Sequence, residues 1–145
     1  MAKLLNDLVS NLKPNLILED QTFSKEILSE KRINFFTITN CTFNNITFDK
    51  CELINSCFSN CQFNKCIFNE SNLKEGDLCQ CNFQGCEFIN SNLAKSELDS
   101  VTFSFCQFEE VSFSKAYLEN CKIIDSSFKL IEGGLPPIKI FFKIF

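Results

Sequence analysis

Between Leu18 and Phe128 every fifth residue is Leu, Ile or Phe, without a slip: Leu18, Phe23, Leu28, Ile33 and Ile38 begin the run, and Phe113, Leu118, Ile123 and Phe128 end it. A helix buries one face at a period of about 3.6 residues and a half-buried strand at about 2.0, so neither element alone can use this pattern. A fixed period held through most of a chain marks an array, in which small units stack and each buries its apolar side chain against the next. The pattern constrains architecture far more tightly than activity.

Two residues before each centre stands a small or slim side chain: Cys41, Ile46, Cys51, Ser56, Cys61 and Cys66, then Cys81, Cys86, Ser91, Ser96, Val101 and Cys106 further on. The residues flanking the centre are mostly Asn, Gln, Thr, Ser, Asp, Glu and Lys. Large inside, small inside and polar outside is a packing code. Aromatic usage agrees, with 18 Phe, one Tyr and no Trp. Phe fills a dry interior without bringing a polar atom that needs a partner.

Ten cysteines raise the questions of a disulfide framework and of a metal site. Eight of the ten fall on the small inward position, where they serve as small hydrophobes. Stacked there, their side chains would run parallel, a poor geometry for a disulfide, so free structural thiols are expected. Only Cys57 and Cys79 fall at outward positions, where modification is conceivable. The chain has no His and no CxxC pair, so neither a metal nor any other cofactor is expected.

The unit stands in the chain as CTFNN, CQFNK, CIFNE, SNLKE, CNFQG, CEFIN, SNLAK, CQFEE and CKIID. It resembles the repeat of the pentapeptide-repeat family, strictly over about residues 36–130 and loosely over 16–35. The resemblance implies an all-β solenoid: a right-handed quadrilateral β-helix of about 5–6 coils, four units to a coil, stacked at roughly 4.8 Å. Residues twenty apart then stack, and the centres sort into four columns. One is a continuous ladder of Phe48, Phe68, Phe88, Phe108 and Phe128; its neighbour holds Phe43, Phe63, Phe83, Phe103 and Ile123. The columns through Leu78 and Leu73 are mainly aliphatic. That segregation supports the twenty-residue coil independently of the resemblance.

The chain divides into a capping helix over residues 1–15, the solenoid over 16–130 and an apolar tail over 131–145. Leu4, Leu5, Leu8, Val9 and Leu12 share one helical face before Pro14, as a cover for exposed coil ends requires. The amino-terminal stretch is broken by Asn6, Asp7 and Asn11 and does not read as a signal peptide. After Gly133-Gly134 and Pro136-Pro137, Ile138, Ile140, Phe142 and Ile144 alternate as in a strand. That strand is expected to lie over the last coil or to join two copies as a homodimer.

An enzyme needs convergent polar groups in a concavity, and a filled rod without His offers none. With 14 basic and 18 acidic residues, direct nucleic-acid binding is not expected, nor is a membrane span or anchor. The chain reads as a cytoplasmic, bacterial, non-enzymatic module that scaffolds or binds an unidentified protein. The resemblance implies an alternative, because some members of the family bind DNA gyrase or related topoisomerases by mimicking duplex DNA. The candidate mimic face is Asp77, Glu97, Asp99 and Glu119, on one column with no Lys beside them. A second acidic column carries Asp49, Glu70, Glu87, Glu109 and Glu110 against Lys50. A third, low-charge wall of Thr42, Asn44, Gln62, Asn64, Asn82 and Gln84 is suited to amide ladders.

Overall fold

A computed structural model of the chain describes residues 4–10, 15–134 and 140–141. Each five-residue unit is three extended residues and a corner. In the extended part the centre points inward and its two neighbours point outward, the alternation of any strand. The corner residue, two after the centre, is left-handed: φ is positive at every such position from Asp20 to Leu130. One left-handed residue turns the chain without ending the coil-to-coil bonding. At Asn60 the amide donates to the Cys79 carbonyl at 2.9 Å, and Asn82 N donates to Cys61 O at 3.0 Å. A left-handed L-residue costs about 1–2 kcal/mol, so these bonds and the buried centres must offset a strain repeated at each corner.

Four corners make a coil. The first wall is a parallel sheet of Ile17–Glu19, Thr37–Thr39, Cys57–Ser59, Asp77–Cys79, Glu97–Asp99 and Tyr117–Glu119. The second stacks Thr22–Ser24, Thr42–Asn44, Gln62–Asn64, Asn82–Gln84, Thr102–Ser104 and Lys122–Ile124. The third stacks Ile27–Ser29, Thr47–Asp49, Ile67–Asn69, Glu87–Ile89, Gln107–Glu109 and Ser127–Lys129. Register is twenty residues throughout, as in Leu78 over Phe58 and Phe88 over Phe68. The array expected from the period, and the coil of four units that the resemblance implies, are the ones observed.

The fourth wall differs from the other three, although the sequence period is the same. It pairs through single residues, Arg32, Glu52, Asn72, Asn92, Ser112 and Glu132. Each coil then tightens into a turn: Ser96 N donates to Leu93 O at 3.3 Å and Ala116 N to Phe113 O at 2.9 Å. With φ of 57° at Lys95 and 58° at Lys115, these are type II turns. Side chains compete here with the ladder. Asn72 Oδ1 accepts from Lys74 N at 3.1 Å, and Asn92 Oδ1 from Ala94 N at 2.8 Å. Such local bonds favour a turn over a strand.

The interior is filled by the four columns. Phe48, Phe68, Phe88, Phe108 and Phe128 stack with centroids 4.7, 4.8, 5.0 and 4.7 Å apart, and no pair is tilted by more than 7°. The neighbouring Phe column meets this ladder in tilted and edge contacts, such as Phe83–Phe88 at 5.5 Å. The small inward residues do more than fill space. The buried cysteines lean toward the preceding coil and donate to the carbonyl of its centre, as Cys81 Sγ does to Phe58 O at 3.4 Å, and Ser91 Oγ does the same to Phe68 O at 2.9 Å. Ser96 instead donates to Leu93 O in its own coil at 2.6 Å.

The helix spans Leu5–Ser10, with Leu5 and Val9 buried and Leu8 partly so. Leu4, expected on the same face, precedes the helix and is exposed. Leu12 and Pro14 lie outside the described residues. The first coil has no coil before it, yet its centres Phe23, Leu28 and Ile33 are buried, in one cluster with Leu5 and Val9 of the helix. At the other end Ile140–Phe141 pairs in parallel with the second wall, Ile123 opposite Ile140. Ile138, Phe142 and Ile144 fall outside the described residues.

Candidate interaction surfaces

The walls are convex and the interior is packed, so functional groups sit on the outside. The first wall brings together the four carboxylates singled out from the sequence. Asp77 is opposite Glu97, and Asp99 is opposite Glu119. None of the four is in a salt bridge among the described residues. Asp99 Oδ1 accepts from Ser100 Oγ at 3.0 Å. The patch ends sharply. Tyr117 stands beyond Glu97, Cys79 stands before Asp99, and the earlier coils present Thr37, Thr39, Cys57 and Ser59.

The third wall is less acidic than its sequence column suggests. Lys129, not named in that column, places Nζ 2.8 Å from Glu109 Oε1. Asp49 Oδ1 accepts from Asn69 Nδ2 at 2.8 Å. The first and third walls face opposite ways with the second between them, so their charges do not merge.

The second wall has no outward carboxylate. Two steps of an amide ladder are formed, Asn64 Nδ2 to Asn44 Oδ1 at 2.9 Å and Asn82 Nδ2 to Gln62 Oε1 at 3.4 Å. The ladder stops between Asn64 and Gln84. There the corner residue is Gly85, at φ 63°. Sequence reading passed over this glycine; the signal was available, because it is the one glycine at a corner of the array from Asp20 to Leu130.

All ten cysteines are free thiols, eight of them buried, with Cys57 and Cys79 half-buried at the surface. No group of three or more potential metal-ligating side chains occurs among the described residues. Burial pushes the Cys41, Cys51 and Cys121 thiols up. The hydrogen bond with Cys106, with burial behind it, pushes Cys86 up to about 12. A thiol raised in the folded state stays protonated there while the unfolded chain ionises. Its stabilising contribution is therefore complete below the unfolded value and is lost as pH rises through the folded one. The urea midpoint is expected to be flat from about pH 7 to pH 8 and to fall above about pH 9. A midpoint that stays level to pH 10.5 would show that the thiols do not contribute.

No helix among the described residues is long and apolar enough to cross a membrane. The family model "Pentapeptide repeat region" matches residues 56–131, and "Pentapeptide repeats (8 copies)" matches residues 37–69. No curated protein matches. Among solved structures, one trypsin-treated form of QnrB1, a plasmid-mediated fluoroquinolone resistance protein, superposes with a TM-score of 0.53 at 15% identity, covering 99% of this chain and 92% of that one. A second trypsin-treated form gives 0.53 at 16% identity, covering 91% and 86%. Rfr23 from the cyanobacterium Cyanothece 51142 gives 0.43 at 14% identity, covering 77% and 87%. At these identities the likeness is one of fold. The family models span more than half of the chain between them, and the chain belongs to the pentapeptide repeat family.

Proposed function

We propose that this protein is a rigid, non-enzymatic interaction module of the cytoplasm that binds another protein through its outer walls. The observation that carries the reading is the absence of any carboxylate from the outward positions of the second wall, which instead displays amides and hydroxyls on a stiff frame. Fixed polar groups of this kind lose little freedom on binding, the usual advantage of a preorganised surface. The test is capture from the source organism with the purified chain. One partner retained through high-salt washes is expected, whereas recovery of charge-bound contaminants alone would overturn the reading.

Mimicry of duplex DNA toward a topoisomerase is a second reading, favoured by the cation-free patch of Asp77, Glu97, Asp99 and Glu119 and by the QnrB1 fold. Magnitude decides against ranking it first. Three coils span about 10 Å at the inter-strand spacing, the length of roughly three base pairs. In a gyrase supercoiling assay, with and without a quinolone, the wild-type chain is expected to leave activity unchanged. Inhibition or drug protection that disappears when all four carboxylates become Lys would make the first wall the site.

A further inference from the structure

The corner between the second and third walls carries Lys25, Asn45, Lys65, Gly85, Phe105 and Asp125, one per coil. Two anomalies are adjacent there. Phe105 is a bulky aromatic in the left-handed region at φ 55°, and 56% of it is exposed. Bulky side chains are rare outliers in that region, and strain held there commonly marks function. Exposed apolar corners also occur at Phe35 and Leu130, but those belong to the terminal coils, next to the ends of the stack. Phe105 is inside it.

Gly85, the coil before, has no side chain, and the fold does not demand that. A Cβ built at Gly85 would meet only Lys65 Cγ, at 3.6 Å, an ordinary contact. The same left-handed corner is occupied by Asn60, Lys65 and Asn90 elsewhere. The missing side chain opens a cleft of about 420 Å³ lined by Asn64, Lys65, Gln84, Gly85 and Phe105. Lys65 is in no salt bridge among the described residues. Glu87, the nearest outward carboxylate along the chain, belongs to the third wall and does not line the cleft. One rim is thus a free cation, the other an aromatic face, and the floor is bare backbone.

We propose that this cleft receives an apolar side chain of a partner polypeptide with a carboxylate beside it: Phe105 packs on the apolar group, Lys65 holds the carboxylate, and the Asn64 and Gln84 amides bond the partner backbone. The occupant's charge follows from the site, since the cleft and the second wall offer a cation and amides but no anion. This deepens the interaction-module reading and rests on it.

The probe is a blocked tripeptide, acetyl-Asp-Leu-Asp-amide, titrated into the full chain with amide chemical shifts as the readout. Acetyl-Lys-Leu-Lys-amide and acetyl-Asp-Ala-Asp-amide are the controls. Saturable shifts at Gly85 and Phe105 are expected with the first peptide, and binding about tenfold weaker or worse with either control. Gly85→Asn fills the cleft with a residue the array already uses at such corners, so the fold is kept and the shifts are lost. Lys65→Gln should remove the preference for acidic over basic peptide. Equal shifts with all three peptides, or unchanged shifts in Gly85→Asn, overturn the proposal. So do a concentration-dependent dimer abolished by Gly85→Asn, which assigns the cleft to a second copy, and contacts from residues 135–145 to the Phe105 ring, which assign it to the tail. A captured partner that still binds Gly85→Asn would sink the cleft and leave the interaction-module reading standing.

Discussion

Phe88→Ala is expected to lower the stability of the chain by about 3–5 kcal/mol, read as a drop in the urea unfolding midpoint. Phe88 is 1% exposed and lies between Phe68 at 4.8 Å and Phe108 at 5.0 Å, with Phe83 and Phe103 against its sides. Truncation removes a large apolar surface and leaves a cavity that two rigid coils cannot close. Because coils interact only with their neighbours, a mid-stack loss weakens both interfaces of one coil. Among the described residues Phe128 has one ring against it, Phe108, and it is only partly buried, so Phe128→Ala should cost less than half as much. Asn82→Ala, on an outward position of the second wall, should move the midpoint by no more than about 0.5 kcal/mol. Equal losses at Phe88 and Phe128 would mean that position in the stack carries no weight, contrary to a nearest-neighbour solenoid.

The parts of this fold that were legible in advance are those set by side-chain size. The run of Leu, Ile and Phe from Leu18 to Phe128, and the gathering of Phe into the column of Phe88, specify a twenty-residue coil because only that register stacks like on like. What escaped is set by direction and by departures from the code. Asn72 and Asn92 carry the same polar label as Asn64, yet their side chains turn back on the backbone where the fourth wall turns, while that of Asn64 reaches across to the preceding coil. Gly85 passed unremarked within the unit CNFQG, and its meaning depends on Lys65 and Phe105 being its neighbours across coils. The acidic patch was legible as a column. Its shortness was legible too, in Cys57, Ser59, Thr37 and Thr39, but the partial neutralisation of the third wall by Lys129 depends on that side chain reaching back one coil to Glu109.

The second large effect is expected at the amino-terminal cap, where the loose first coil acquires a reason. Inward small residues lean toward the preceding coil, and in the first coil that direction leads to the helix. Two positions that would otherwise hold Cys or Ser hold Glu26 and Lys31. Glu26 accepts from the amides of Leu5 and Asn6 at 2.8 and 3.0 Å, at the start of the helix. Lys31 Nζ donates to Ser10 Oγ at 3.1 Å, at its end. An anion at the amino end and a cation at the carboxyl end both oppose the helix dipole favourably. A helix of 6 residues does not form on its own in water, so this clamp and the burial of Leu5 and Val9 must hold it. Glu26→Lys removes both backbone bonds to the carboxylate, with the longer one from Asn6 Nδ2 at 3.5 Å, and reverses the charge at the dipole's positive end, a loss of about 2–3 kcal/mol in local stability. Amide exchange at Leu8, whose N–H bonds Leu4 O, should quicken by about 30-fold or more. The urea midpoint should fall far less, because an end coil can fray without opening the stack. Glu26→Gln keeps an acceptor and should give about a third of the exchange effect in free energy. Unchanged exchange in Glu26→Lys would mean that Leu5 and Val9 alone dock the helix, and that the charges at the first coil are surface ornament rather than the clamp that closes the solenoid.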